Sequence, residues 1–238
     1  MRTGVGVKEI LGNEKATDVL LDNGEELKAD AVILAMGYHP STKLAEKSGL
    51  EINEMGFIKV DEYMKTNIPD ILAVGDCAEK RGFFTGKPAG IMLASTACAE
   101  ARIAAMNLYK LLAVKTFSGT IPIFSTAIGE PGFGVAGLTE RIAEKEGLNF
   151  VTGTFVGVDR HPGTLPDTHK QMVKLIFARE SRVILGGEVV SGPSTGELTN
   201  LIGLAIQNRM TVNELLTTQI GTHSFLTAPP TAYPFIKA

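Results

Sequence analysis

The chain has 238 residues, of which 44% are hydrophobic and 21% charged, with a formal net charge of −3. That length holds one large domain or two modest ones, and the composition is that of a globular chain rather than a disordered one. Scattered Lys and Arg argue against nucleic acid or an anionic membrane as the main partner, no apolar run is long enough to span a bilayer, and Met1-Arg2-Thr3-Gly4 lacks a signal-peptide core, so a soluble, cytoplasmic protein is expected.

Residues 4–36 read as strands. Val5, Val7 and Ile10 nearly alternate, and Val19-Leu20-Leu21 leads into Asp22-Asn23-Gly24, a hairpin signal because Asn and Gly tolerate positive φ. Ala31 to Ala35 is an unbroken apolar run, the pattern of a strand buried on both faces, ending at Met36-Gly37. Ser41 to Ser48 suits a short helix capped by Ser41 and closed by Gly49. Leu50-Glu51-Ile52 and Phe57 to Val60 then alternate, as in a half-exposed hairpin around Met55-Gly56.

Thr66-Asn67-Ile68-Pro69-Asp70-Ile71-Leu72-Ala73-Val74-Gly75-Asp76 is the stretch around which the rest is organised. Ile71 to Val74 has the pattern of a buried parallel strand, and Gly75 ends it with a backbone open to close approach. Asp76 follows at the carboxyl end of that strand, where open α/β sheets bind ligands. A carboxylate there accepts hydrogen bonds from hydroxyls, so a sugar or sugar-alcohol is a natural partner; capping of the next helix or turn is the alternative.

A loop follows, Glu79 to Pro88, and then a small-and-apolar run from Ala89 to Ala113 with a helical pattern. Its start would aim free N–H groups and partial positive charge at whatever precedes it. Cys77 and Cys98 form neither a C-x-x-C nor a zinc-like cluster and read as small buried thiols. Thr116 to Thr120 is a composition break, and the boundary between halves is placed there.

Beyond residue 121 the texture is strands with a few helices, an α+β pattern. Gly132, Gly134 and Gly137 match G-x-G-x-x-G, but no buried strand run precedes them and no acidic residue closes a βαβ unit, so a nucleotide role is not expected. A short helix is expected from Thr139 to Gly147, and strands at Phe150–Val158, Gln171–Ala178 and Arg182–Val190, with a hairpin at Arg179-Glu180-Ser181. Capping boxes Ser194-x-x-Glu197 and Thr211-x-x-Glu214 open two more helices. The Pro- and Thr-rich tail, Gly221 to Ala238, reads as an extended, docked segment.

The T-x-I-P-x-I-x-A-x-G-D wording closely resembles the second flavin-binding motif of the pyridine nucleotide–disulfide oxidoreductases. Residues 19–37 resemble the last strands of that family's NAD-binding domain and their return to the FAD domain. Gly134 to Glu140, Leu185 to Gly192, Ala205-Ile206-Gln207 and Thr211 to Leu215 resemble its dimerisation domain. The resemblance covers essentially the whole chain. It implies an incomplete α/β FAD-binding part followed by an α+β dimerisation domain: residues 1–36 the end of the NAD-binding domain, 37–117 the C-terminal part of the FAD-binding domain, 118–238 the dimerisation domain.

The resemblance also implies roles. Asp76 would hold the ribitol of FAD, Gly75 and Gly37 would let backbone approach closely, and Leu93 and Ala94, near the start of the long helix, would meet the pyrimidine edge of the flavin. The family's N-terminal G-x-G-x-x-G, its redox cysteines and its second fingerprint for NAD(P)H do not occur in this sequence. A truncated or split gene product and a subunit completed by an N-terminal partner are both compatible with that, and the chain alone is not expected to hold FAD tightly. His223 stands where disulfide-reducing members carry the His of a His-Pro pair, but Ser224 replaces the Pro and Ala228 the assisting Glu. Tyr233 is the other catalytic candidate, because some coenzyme A–disulfide reductases use tail tyrosines. His161-Pro162-Gly163 reads as a turn. The expected function is therefore the C-terminal portion of an FAD-dependent NAD(P)H oxidoreductase, closest to the NADH oxidase and coenzyme A–disulfide reductase branch, and a homodimer. The alternatives are a dimerisation or assembly module that no longer binds flavin, and a small nucleotide-sugar binder.

Overall fold

The computed structural model describes residues 2–110 and 116–238, in two units, Met1–His39 and Pro40–Ala238. In the first unit β1 (Val7–Leu11), β2 (Asp18–Leu21) and β3 (Glu26–Lys28) form an antiparallel sheet in that order. The expected hairpin is there: Gly24 takes φ +85° and donates its N–H to the Leu21 carbonyl. The run Ala31–Ala35 is not a buried strand. It forms no ladder, and Ile33 is 90% and Met36 83% exposed. An apolar run becomes a buried strand only when neighbours pair both its edges and cover both its faces.

In the second unit α1 (Lys43–Lys47) has Thr42 at its cap position rather than Ser41. The Thr42 hydroxyl donates to the Gly56 carbonyl at 3.0 Å and ties the helix to the next turn. That turn is built by the Asn53 side chain, which accepts from the N–H groups of Met55 and Phe57. Across it, Ile52 bridges Ile58, and the N–H groups of Asn53 and Lys59 donate to the Phe57 and Glu51 carbonyls, so the hairpin is shorter than expected.

Ile71–Val74 also departs from a parallel strand buried on both faces. Its pairing is antiparallel and local: Lys65 bridges Leu72, Thr66 N–H donates to Ile71 C=O, and Ala73 N–H donates to Met64 C=O. Ala73 is buried while Ile71, two residues earlier and so on the same side of the extended segment, is exposed, and Leu72 and Val74 are half-buried, so neither side is covered along the run. β4 (Lys80–Arg81) pairs with β5 (Pro88–Ala89), which removes Ala89 from the expected helix. That helix, α2, runs Ala94–Met106, and residues 111–113 of the expectation lie outside the described residues.

The second half is one antiparallel sheet of β6 (Ile123–Ala127), β7 (Gly132–Gly137), β8 (Phe150–Val158), β9 (Lys170–Ala178) and β10 (Ile184–Ser191), in the order β6-β7-β10-β9-β8. α3 (Glu140–Lys145) is capped by the Thr139 hydroxyl and closed by Gly147 at φ +68°, as expected. α4 (Thr195–Gln207) packs Leu198, Ile202, Ala205 and Ile206 onto Val173, Leu175 and Val189 of the sheet, forming the main core. The expected Ser194–Glu197 capping box is absent: Ser194 has helical backbone angles (φ −73°, ψ −7°) rather than extended ones, and its hydroxyl accepts from the Gln171 side-chain amide at 3.0 Å. The Thr211–Glu214 box on α5 (Val212–Leu216) forms both its bonds. The tail is not fully extended: Pro230–Ala232 is a 3-10 turn and α6 (Pro234–Lys237) a helical turn that buries Phe235 in the core.

Candidate functional site

Gly75–Cys77 forms a single 3-10 turn between extended Val74 and Ala78. Gly75 sits at φ +79°, in the left-handed region, while a Cβ there would meet nothing closer than the Ala97 methyl at 3.6 Å. Backbone conformation rather than crowding therefore calls for glycine. Asp76 lies inside the turn, not at its cap, which is Val74, and its side chain is exposed. The cap reading of Asp76 thus finds no support, and its carboxylate stands on the surface with acceptor capacity available.

The turn rests on α2 through two buried charges absent from the sequence-derived site. The Lys80 and Glu100 side chains are both 0% exposed and their charged ends lie 2.9 Å apart. The Lys80 ammonium donates to the Gly75 carbonyl at 2.6 Å, the Ala78 carbonyl at 2.9 Å and Glu100 Oε2 at 3.1 Å. The same Oε2 accepts the Gly75 N–H at 2.8 Å. With all three ammonium protons committed, Glu100 Oε1 accepts no hydrogen bond and feels Lys80 only electrostatically. A sequence signal exists in retrospect: Thr96, Glu100 and Ala104 form the buried stripe of α2, so its one acid falls on its inner face.

Burial pushes the Glu100 carboxyl up from its ordinary range; Lys80 and the Gly75 N–H pull it back without cancelling, and the Asp76 charge adds to the rise. The unfolded chain therefore loses this proton at lower pH than the folded one, and in the window between the two values the folded state holds more protons. Stability from this group is full below the ordinary carboxyl range and declines as pH rises through the raised value. Urea midpoints measured from the ordinary carboxyl range upward should show a downward slope component in the native chain that Glu100→Gln removes.

The remaining candidates divide as follows. Leu93 is the extended residue preceding α2 and Ala94 its first residue, so both belong to the helix on which the Asp76 turn rests. Gly37 belongs to the first unit; its φ of +90° requires glycine, and among the described residues nothing lies within 4 Å of a Cβ placed there, so the expected close neighbour is not seen. Cys77 is half-buried, with its thiol donating to the Val74 carbonyl at 3.5 Å, whereas Cys98 is exposed, contrary to expectation. Cys98 lies off the 96-100-104 stripe, on an open face of α2.

His223 is exposed, and its Nδ1 accepts the Phe225 N–H at 3.3 Å, so the ring is used in its own turn. With His161 it lines a cleft of about 330 Å³, while Tyr233 lines another of about 430 Å³ with Glu197, Phe225 and Ala228. Thr227 and Ala228 belong to both clefts. Burial pushes the Tyr233 phenol up. Ala228 is itself buried. Among the described residues no group of His, Cys, Asp and Glu could hold a metal ion, and no helix is long and apolar enough to cross a membrane.

Two family models match: one described as pyridine nucleotide-disulphide oxidoreductase over residues 1–101, and one described as the dimerisation domain of the same family over residues 123–232. A dihydrolipoyl dehydrogenase of Vibrio cholerae is 39% identical over 75% of this chain and 35% of its own. An NADH oxidase of Methanocaldococcus jannaschii is 30% identical over 94% of this chain and 48% of its own. A solved FAD-dependent pyridine nucleotide-disulphide oxidoreductase from Desulfovibrio vulgaris superposes with a TM-score of 0.72 at 31% identity, covering 92% of this chain and 52% of that one. The chain thus spans between 35% and 52% of the length of these three proteins.

Proposed function

Because the chain belongs to the pyridine nucleotide-disulphide oxidoreductase family, we propose that it supplies the flavin-ribitol contact and the pairing surface of an FAD-dependent NAD(P)H oxidoreductase. The observation that carries this reading is the Gly75–Cys77 turn, which holds an exposed Asp76 carboxylate and packs through Gly75 against Ala97 and Glu100 in the first two turns of α2. An acceptor-only group meets the donor hydroxyls of a polyol, and the N–H groups opening the helix suit the polar edge of a flavin ring. Leu93 and Ala94 are assigned to that edge, Gly75 to the backbone conformation of the Asp76 turn, and Gly37, within the first unit, to a backbone conformation that only glycine adopts readily. When bound, FAD would supply the electron carrier between NAD(P)H and the final acceptor. The chain divides, on this reading, into residues 1–36, 37–117 and 118–238, with the last part forming a homodimer.

The NADH oxidase and coenzyme A–disulfide reductase branch is favoured by the tail. Ser224 and Ala228 leave His223 without the Pro and carboxylate that a disulfide-reducing His-Pro…Glu arrangement requires. The NADH oxidase likeness also extends over 94% of the chain, against 75% for the dihydrolipoyl dehydrogenase. His223 and Tyr233 are then proton-handling candidates contributed by the second half.

Titration of the purified chain with FAD, read by flavin fluorescence, tests the proposal. Asp76→Ala removes a charged acceptor worth about 1.5–3 kcal/mol, so the dissociation constant should rise roughly 10- to 150-fold. Equal affinity of the two proteins would refute the Asp76 contact. A colourless, stable dimer that ignores FAD even when purified with a candidate N-terminal fragment would mark the chain as an assembly module instead.

A further inference from the structure

The Lys80–Glu100 pair is costly for the fold, since two charges have been taken out of water, and no contact of either with a substrate-facing surface explains it. What the pair touches is specific. Both backbone groups of Gly75 and the carbonyl of Ala78 are bonded to it, so it grips the turn at both ends. Gly75 is itself held at φ +79°, a conformation that a glycine in a loop readily abandons. Asp76 lies between the gripped points and has no part in the grip.

We infer that Lys80 and Glu100 are positioning residues for Asp76, locking the Gly75–Cys77 backbone so that the carboxylate is presented outward in one fixed direction. The inference rests on the reading of Asp76 as a flavin-polyol acceptor for its purpose, but not for its geometry. Pre-organisation of this kind raises affinity by removing the ordering cost that a mobile loop would incur on binding. Neither residue touches the ligand. Each acts through the turn.

Two readouts test it. Backbone amide exchange is measured on the native chain, Glu100→Leu and Glu100→Gln. Glu100→Leu should speed exchange at Gly75, Asp76 and Cys77 by about tenfold or more while the β7–β10 core stays protected, and Glu100→Gln, which keeps one acceptor oxygen for the Gly75 N–H, should retain most of the protection. Unchanged turn exchange in folded Glu100→Leu, or equal acceleration throughout the chain, would overturn the inference; should Glu100→Leu not fold, loss of Gly75 protection in Lys80→Met at low pH decides it. The second readout is FAD affinity in a cycle of Glu100→Leu with Asp76→Ala. Action through Asp76 predicts non-additivity: Glu100→Leu weakens binding about tenfold in the native background and little in the Asp76→Ala background. Equal effects in both backgrounds would overturn it. If Asp76→Ala itself leaves FAD affinity unchanged, the polyol reading fails alone, and amide exchange still settles whether the pair holds the turn.

Discussion

Lys80→Met should destabilise the second unit by about 3–5 kcal/mol at neutral pH, the usual consequence of leaving a buried charge without its partner. Methionine fills the volume of the lysine stem, so the loss is electrostatic rather than a packing defect. Three acceptors lose their donor at once: Glu100 Oε2 and the carbonyls of Gly75 and Ala78. Gly75 C=O retains the Ala78 N–H at 3.0 Å, so the heavier losses fall on Glu100 and on Ala78 C=O. The deficit should depend on pH with a definite sign. Burial already raises the Glu100 carboxyl, and without Lys80 the rise is larger. Protonation removes the stranded charge, so the gap to the native chain narrows as pH falls. Urea midpoints of both proteins across that range check this; a deficit independent of pH would mean that Glu100 is not the stranded group. The double variant Lys80→Met/Glu100→Leu should recover only part of the loss. In a simple buried ion pair both charges can be exchanged for hydrocarbon at little cost, but here Ala78 C=O and Gly75 N–H would remain without partners.

The same pair shows where the sequence stops being legible. Local patterns that close on themselves are readable: Asn23-Gly24 makes its hairpin, Thr211-x-x-Glu214 makes its capping box, and Arg179-Glu180-Ser181 joins β9 to β10. Each depends on residues a few positions apart. Ala31–Ala35 and Ile71–Val74 carry equally clear apolar runs but do not become buried strands, because pairing and covering are supplied by other segments and not by the run itself. Ser194 has the right spacing to Glu197 for a capping box, yet its backbone is helical rather than extended, and its hydroxyl meets Gln171, distant in sequence. Asp76 stood out through the wording around it, although the buried parallel strand expected to present it does not form. Lys80 and Glu100 did not, because a Lys between Glu79 and Arg81 looks like part of a solvated run, and only the register of α2 brings Glu100 beneath it.

The three glycines of β7 give the second large effect. Gly137→Ala should cost roughly 3–5 kcal/mol, combining a left-handed backbone conformation with overpacking. Gly137 has φ +72°, and a Cβ there would lie 2.4 Å from the Leu185 carbonyl oxygen and 2.7 Å from the Ile206 side chain. The nearest obstacle is backbone of the neighbouring strand β10, so it cannot rotate aside. Gly132 and Gly134 face α4, where a Cβ would meet Thr195 Oγ1 at 2.6 Å and, at Gly134, the side chain of Thr199. Thr195 and Thr199 are buried, and their hydroxyls donate to the carbonyls of Gly192 and Thr195. The spacing that imitates a dinucleotide fingerprint is thus a close approach of a helix to a sheet. The two explanations differ in what a rescue does. If packing is the reason, Gly134→Ala should be markedly destabilised, and adding Thr199→Ala should restore part of the loss by clearing the hydroxyl that the new methyl strikes. If the glycines served a phosphate, Gly134→Ala would leave the urea midpoint near that of the native chain, and no change at Thr199 would matter.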